Sequence, residues 1–94
     1  MFRLWGIIRK HNRMQHNEVI ELPGDDLEEV LLDGIQLLCE TLDLPRPVIL
    51  AKHEREMFTF NRTRFFADDF MEPITFDCLE IENLVEKKKR SPYA

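Results

Sequence analysis

The chain has 94 residues, with 13 Lys+Arg against 18 Asp+Glu and a formal net charge of −5. That length holds one domain with one modest core, and a hydrophobic content of 44% with seven Phe excludes a disordered chain. No apolar run approaches the ~20 residues that span a bilayer, and the net acidity counts against nucleic acid, whose binding domains carry a basic balance.

The charge is arranged in blocks. Residues 1–16 hold four bases and no acid, and residues 17–43 hold nine acids and no base. Residues 44–66 hold five bases and two acids, residues 67–86 hold seven acids and no base, and Lys87–Arg90 closes the series with four bases. Such alternation suits complementarity within the chain or between copies of it and requires no charged ligand.

Met1–Arg9 is apolar but interrupted by Arg3 and closed by Arg9 and Lys10, so it lacks the apolar stretch and cleavage site of a signal peptide. The expectation is a cytoplasmic protein. Residues 2–10 alternate as a strand, and residues 14–22 form a second one. Lys10-His11-Asn12-Arg13 is the turn between them, since Asn tolerates the left-handed region. A plain two-residue loop pairs Leu4 with Val19. A three-residue loop, or a bulge, pairs Leu4 with Ile20 and Phe2 with Leu22. A slip of one residue flips every side chain to the other face, so the second register is expected. It gathers Phe2, Leu4, Ile8, Met14, Ile20 and Leu22 on one buried face.

Pro23-Gly24 ends the strand. Asp25 or Asp26 caps a helix, with Glu28 or Glu29 completing a capping box. Leu27, Val30, Leu31, Gly34, Ile35, Leu38 and Leu42 follow the i, i+3, i+4, i+7 spacing. Gly34 lies on that stripe, which implies close approach to the sheet. The helix ends near Asp43, ahead of Pro45 and Pro47. Val48-Ile49-Leu50 is expected as a short central strand or extended segment, and residues 51–58 as a short helix. Phe58, Phe60, Phe65, Phe66 and Phe70 imply an irregular stretch packed by its aromatics, with a helical turn around residues 67–71. Residues 74–85 are the last strand, with a bulge near residues 77–79 to reconcile the parity of Phe76 and Cys78 with that of Leu79 and Ile81. Residues 87–94 form a basic, disordered tail.

The fold class is therefore α+β. Residues 1–86 make a single small domain, an antiparallel or mixed sheet with an N-terminal β-hairpin and one long amphipathic helix packed on it.

Arg3-Leu4-Trp5-Gly6 followed by Ile7-Ile8, Thr63-Arg64-Phe65 followed by Asp69-Phe70, and Phe76-Asp77 followed by Leu79-Glu80-Ile81 resemble short uncharacterised bacterial proteins that begin with an RLWG-type segment. The resemblance covers the chain to about Glu82. It implies a bacterial cytosolic protein and carries no catalytic residue across.

No catalytic residue is assigned. His11, His16 and His53 are the general-base candidates by pKa, with His53 in an exposed-looking segment. No Ser-His-Asp or Cys-His pattern, P-loop, GxGxxG or HExxH is present. Cys39 and Cys78 form no CxxC pair and read as buried hydrophobes. Asp68, Asp69 and Glu72 offer oxygen ligands, but their spacing is not that of a calcium loop. Neither metal nor cofactor is expected. Asn61, Arg62, Thr63, Arg64, Asp68 and Asp69 are the candidate ligand-binding residues, since guanidinium forks in a polar loop suit a carboxylate or phosphate. The alternative for them is pairing with neighbouring acids.

Trp5, Ile7 and Val19 lie on the hairpin face opposite the core. Either the Phe58–Phe70 segment covers them or they form an interface, for which a symmetric homodimer is the commonest outcome. The expected function is a non-enzymatic protein-interaction module, with a protein partner or a second copy. The alternatives are a small-ligand or substrate site around residues 61–69, and weak nucleic-acid contact through Arg3, Arg9, Lys10, Arg13 and the tail.

Overall fold

A computed structural model describes residues 2–24 and 26–84. Strands β1 (Phe2–Lys10) and β2 (Arg13–Leu22) lead into helix α1 (Leu27–Leu42), helix α2 (Ala51–Phe60), strand β3 (Arg62–Phe66), a 3-10 turn (Ala67–Asp69) and strand β4 (Cys78–Asn83). The four strands form one sheet in the order β2-β1-β4-β3, and every neighbouring pair is antiparallel. The last strand thus enters the middle of the sheet, between the hairpin and β3.

The hairpin has the register that hydrophobic parity demands, with Leu4 opposite Ile20 and Phe2 opposite Leu22. It is reached by a two-residue turn plus a bulge. His11 and Asn12 both take positive φ, 55° and 64°, as a type I′ turn requires. The register then shifts between Ile8 and Arg9. The bulge has one consequence that parity alone misses. Met14 pairs with Arg9 and not with an even-numbered residue of β1. It therefore leaves the core face, and it is 44% exposed.

Helix α1 starts where Asp26 accepts a hydrogen bond from the Glu28 amide at 3.0 Å. It ends at Asp43 in the left-handed conformation, φ 60°. Its stripe packs directly on the hairpin. A Cβ at Gly34 would lie 2.5 Å from a Leu4 methyl and 2.6 Å from a Leu22 methyl, so a larger residue there requires both leucine side chains to shift.

Two helices pack on the sheet: α1 has 16 residues, and α2, with 10, stands where a short helix was expected over residues 51–58. Val48–Leu50 is extended but joins no strand, and the adjacent Pro47 makes only an isolated bridge to Phe70. The strand before β4 is β3, drawn from the Phe-rich segment. Strand β4 begins at Cys78, so Phe76 precedes it and no bulge is needed to explain its inward packing.

The core is Leu4, Ile8, Ile20 and Leu22 from the hairpin, Phe65, Leu79 and Ile81 from the other strands, and Leu31, Ile35, Leu38, Leu42 and Met57 from the helices. Both helices therefore cover the same face of the sheet. The tail, residues 87–94, lies outside the described residues.

Candidate functional site

Alternation along each strand sends the other half of the side chains to the second face. From β3 these are Arg62, Arg64 and Phe66, since Thr63 and Phe65 are buried toward the helices. From β4 they are Cys78, Glu80 and Glu82. From β1 they are Arg3, Trp5, Ile7 and Arg9, and from β2 Met14, Asn17, Val19 and Glu21. Strand pairing sets them in rows. Arg62, Glu82, Trp5 and Val19 form one row, Arg64, Glu80, Ile7 and Asn17 the next, and Phe66, Cys78, Arg9 and Met14 the third.

Among the described residues, no helix lies on this face. Ile7 and Cys78 are buried yet lie outside the core cluster. Their shelter comes from neighbours on the same face. Trp5 donates its indole N–H to Asn17 Oδ1 at 3.0 Å. Arg9 Nε donates to Glu80 Oε1 at 2.8 Å, and Arg64 Nε lies 3.6 Å from the same oxygen. Glu80 is 3% exposed, and two guanidinium groups flank its carboxylate. The hydrogen bond and the charge of Glu80 raise the Arg9 pKa further.

Arg62 and Arg64 also edge a second feature. An open groove of about 670 Å³ runs between α2 and β3, with Lys52, Glu56 and Phe60 on one side and Arg62, Arg64 and Phe66 on the other. Strand β3 is the sheet edge here. The Asn83 amide donates to the Asn61 carbonyl at 2.7 Å. This sets the ladder parity, so the backbone groups of Arg62 and Arg64 point away from β4 toward the free edge.

The candidate ligand residues of the 61–69 segment do not converge. Asn61 takes φ 62° at the end of α2, and its side chain accepts from the Asn83 amide group. Thr63 is buried and donates its hydroxyl to Glu56. Asp69 is buried, where Oδ2 accepts from the Phe66 amide at 2.9 Å. Asp68 is exposed on the 3-10 turn. Only Arg62 and Arg64 reach the helix-free face, where they join Trp5, Ile7 and Val19. No group of three or more His, Cys, Asp or Glu able to hold a metal occurs among the described residues.

His53 is not exposed as its sequence context suggests. It is 1% exposed and stacks on Phe65 with ring centroids 4.2 Å apart. Nδ1 accepts from the Leu50 amide at 2.9 Å, and Nε2 lies 3.5 Å from Asp69 Oδ2. The accepting Nδ1 places the proton of the neutral ring on Nε2. At its distance from Asp69, Nε2 makes no hydrogen bond and is buried without a partner among the described residues, so the ring is held by its stacking on Phe65 and by the Leu50 amide. Cys39 and Cys78 are both free and buried, Cys39 in the core and Cys78 on the opposite face. Burial pushes the Cys39 thiol up to about 11.

Sequence reasoning missed Arg9, Glu80, Glu82 and Phe66 as members of the site. The clue was present in Leu79-Glu80-Ile81-Glu82, whose alternation puts both acids opposite the core. Compared with known families, curated proteins and solved structures, the chain matches none. No helix among the described residues is long and apolar enough to cross a membrane.

Proposed function

We propose that the chain is a non-enzymatic protein-interaction module whose contact surface is the helix-free face of the sheet. One observation supports this reading above the others. Val19 stands 47% exposed beside Trp5, and Met14 and Phe66, 44% and 50% exposed, stand at the two ends of the row through Arg9, on a face that also carries interleaved Arg and Glu. Aromatic and Met side chains with Arg are the residues enriched where proteins meet. Burying one such apolar side chain contributes up to ~1.5–3 kcal/mol. Ile7, Glu80 and Cys78 of the same face are buried between them.

A photo-reactive side chain placed at Val19, compared with one at Gln36 on the exposed side of α1, tests the reading in cells. Protein adducts at Val19 and none at Gln36 are expected. Adducts at neither position, or only at Gln36, would overturn it.

A second reading, a small anionic ligand, draws on the groove beside β3. Carboxylate or phosphate compounds that raise the melting temperature of the wild type but not of Arg62→Ala would favour it. No effect on either protein removes it.

A further inference from the structure

Strand β3 is an open edge of the sheet, and we infer that it takes an extended acidic segment of a partner protein as an added strand. The inference goes beyond the contact surface proposed above. It concerns the rim of the sheet, and it is decided separately from what the helix-free face meets.

The backbone supplies the first observation. The ladder to β4 uses the backbone groups of Thr63 and Phe65, so those of Arg62 and Arg64 point outward. Among the described residues no hydrogen bond satisfies them. The Phe66 amide points the same way, but Asp69 Oδ2 already accepts from it at 2.9 Å. The open stretch therefore has a defined length, and Asp69 closes one end of it. A row of unpaired amides and carbonyls is a template for another strand.

There is room for that strand. Neighbouring strands lie ~4.8 Å apart, and the groove of about 670 Å³ runs along this side of β3, with Lys52, Glu56 and Phe60 of α2 as its far wall. The other edge of the sheet is β2, where a bulge interrupts the ladder between Ile8 and Arg9. Bulges of that kind turn an edge away from pairing.

The side chains choose the occupant. Residues of an added strand directly opposite Arg62 and Arg64 bring their Cβ atoms within ~5 Å of those of the arginines, where opposite charges attract and like charges repel. Among the described residues, Arg62 and Lys52 have no acid within ion-pair distance, and Arg64 is half exposed at 3.6 Å from Glu80. The two acids that line the groove are otherwise placed. Glu82 lies on β4, one strand further in, and Glu56 accepts from the Thr63 hydroxyl. Between two acids, the intervening residue turns to the α2 side of the sheet. There it meets Phe60, which is 68% exposed, so an apolar side chain suits that position. The ligand is thus an extended segment in the order acid, apolar, acid. The same rule disfavours a second copy of β3. Antiparallel pairing centred on Thr63 sets Arg62 against Arg64, and pairing centred on Arg64 sets that residue against itself.

The probe is a capped peptide that alternates glutamate and valine along the length of β3, titrated into the isotope-labelled chain. Saturable shifts are expected at the amides of Arg62 and Arg64, with both slowed in hydrogen exchange and Val19 on the opposite edge unmoved. The same peptide with lysine in place of glutamate should not bind. A third peptide, N-methylated at the residues whose amides face β3, keeps the charge, loses the backbone bonds and should also fail. Arg62→Ala should weaken the glutamate peptide by up to about fivefold. No shift at millimolar peptide overturns the inference, and so does equal binding of the lysine peptide. Equal shifts from the N-methylated peptide, or from glutarate alone, overturn strand addition and assign the groove to a small anion. Shifts at Arg62 and Arg64 that follow protein concentration without peptide assign the edge to a second copy and overturn the acidic partner. The fate of the face reading rests on the adducts at Val19, which none of these outcomes touches.

Discussion

Arg9 Nε and Glu80 Oε1 meet at 2.8 Å across 71 positions of sequence. The bond joins the basic N-terminal block to the acidic block of the last strand. It exists because β4 inserts beside β1 and sets Cys78 opposite Arg9 and Glu80 opposite Ile7. Glu80 is almost fully buried, while Arg9 keeps a third of its side chain in water. Its carboxylate is the element that must be satisfied.

Glu80→Gln should therefore lower stability by about 1.5–3 kcal/mol, the range for a hydrogen bond to a charged group. Arg64→Ala should cost under ~1 kcal/mol, because that guanidinium is half exposed and more distant. Denaturant unfolding of both variants checks the order. Equal losses would assign the whole effect of the Glu80 charge to Arg64 and leave none to Arg9.

Gly34→Ala sets two effects against each other. Alanine gains about 0.8–1 kcal/mol of helix propensity over glycine. Its Cβ would meet Leu4 and Leu22 within 2.6 Å, and overpacking of a filled core costs about 1–3 kcal/mol. The expected net result is a loss of about 1 kcal/mol. A gain would mean that α1 slides on the hairpin without resistance.

His53→Ala should cost about 2–4 kcal/mol. It removes the ring stacked on Phe65 and orphans the Leu50 amide, which the imidazole now satisfies. Phe60→Ser, at a position 68% exposed, should change stability by less than ~0.5 kcal/mol. Thermal melts of the two variants distinguish a buried structural histidine from a surface one.

The Cys39 thiol gives a pH dependence. Its folded pKa lies at about 11 against 9.0 for an unperturbed thiol, raised by burial. The unfolded chain therefore loses this proton first as pH rises. The stability it contributes is intact below about 9 and declines between about 9 and 11. Cys39→Ala should flatten this part of the profile, measured by urea midpoints across that window. An unchanged profile would place the alkaline loss elsewhere.

The hairpin and α1 were legible because their apolar residues repeat with the period of the element and their caps are local. Strand β3 was not. Its inward positions are Thr63 and Phe65, one of them polar, while Phe66 points outward. The Phe run therefore looked like one irregular patch when it is divided between two faces. Val48–Leu50 has strand composition but joins no strand of the sheet; the Val48 amide donates to the Asp69 carbonyl beside the single Pro47–Phe70 bridge, and the pairing goes no further. The site was half legible for the same reason. Trp5, Ile7 and Val19 share a face by hairpin parity alone. Their union with Arg62, Arg64 and Glu80 depends on strand order, which no local pattern encodes.

The proposal that the helix-free face of the sheet is the surface on which this chain meets a protein partner is tested most directly by photo-crosslinking in cells. Adducts are expected from Trp5, Val19 and Phe66, with none from Leu32, Gln36 and Glu40 of α1. Adducts from none of these positions, or only along the helix, would contradict it.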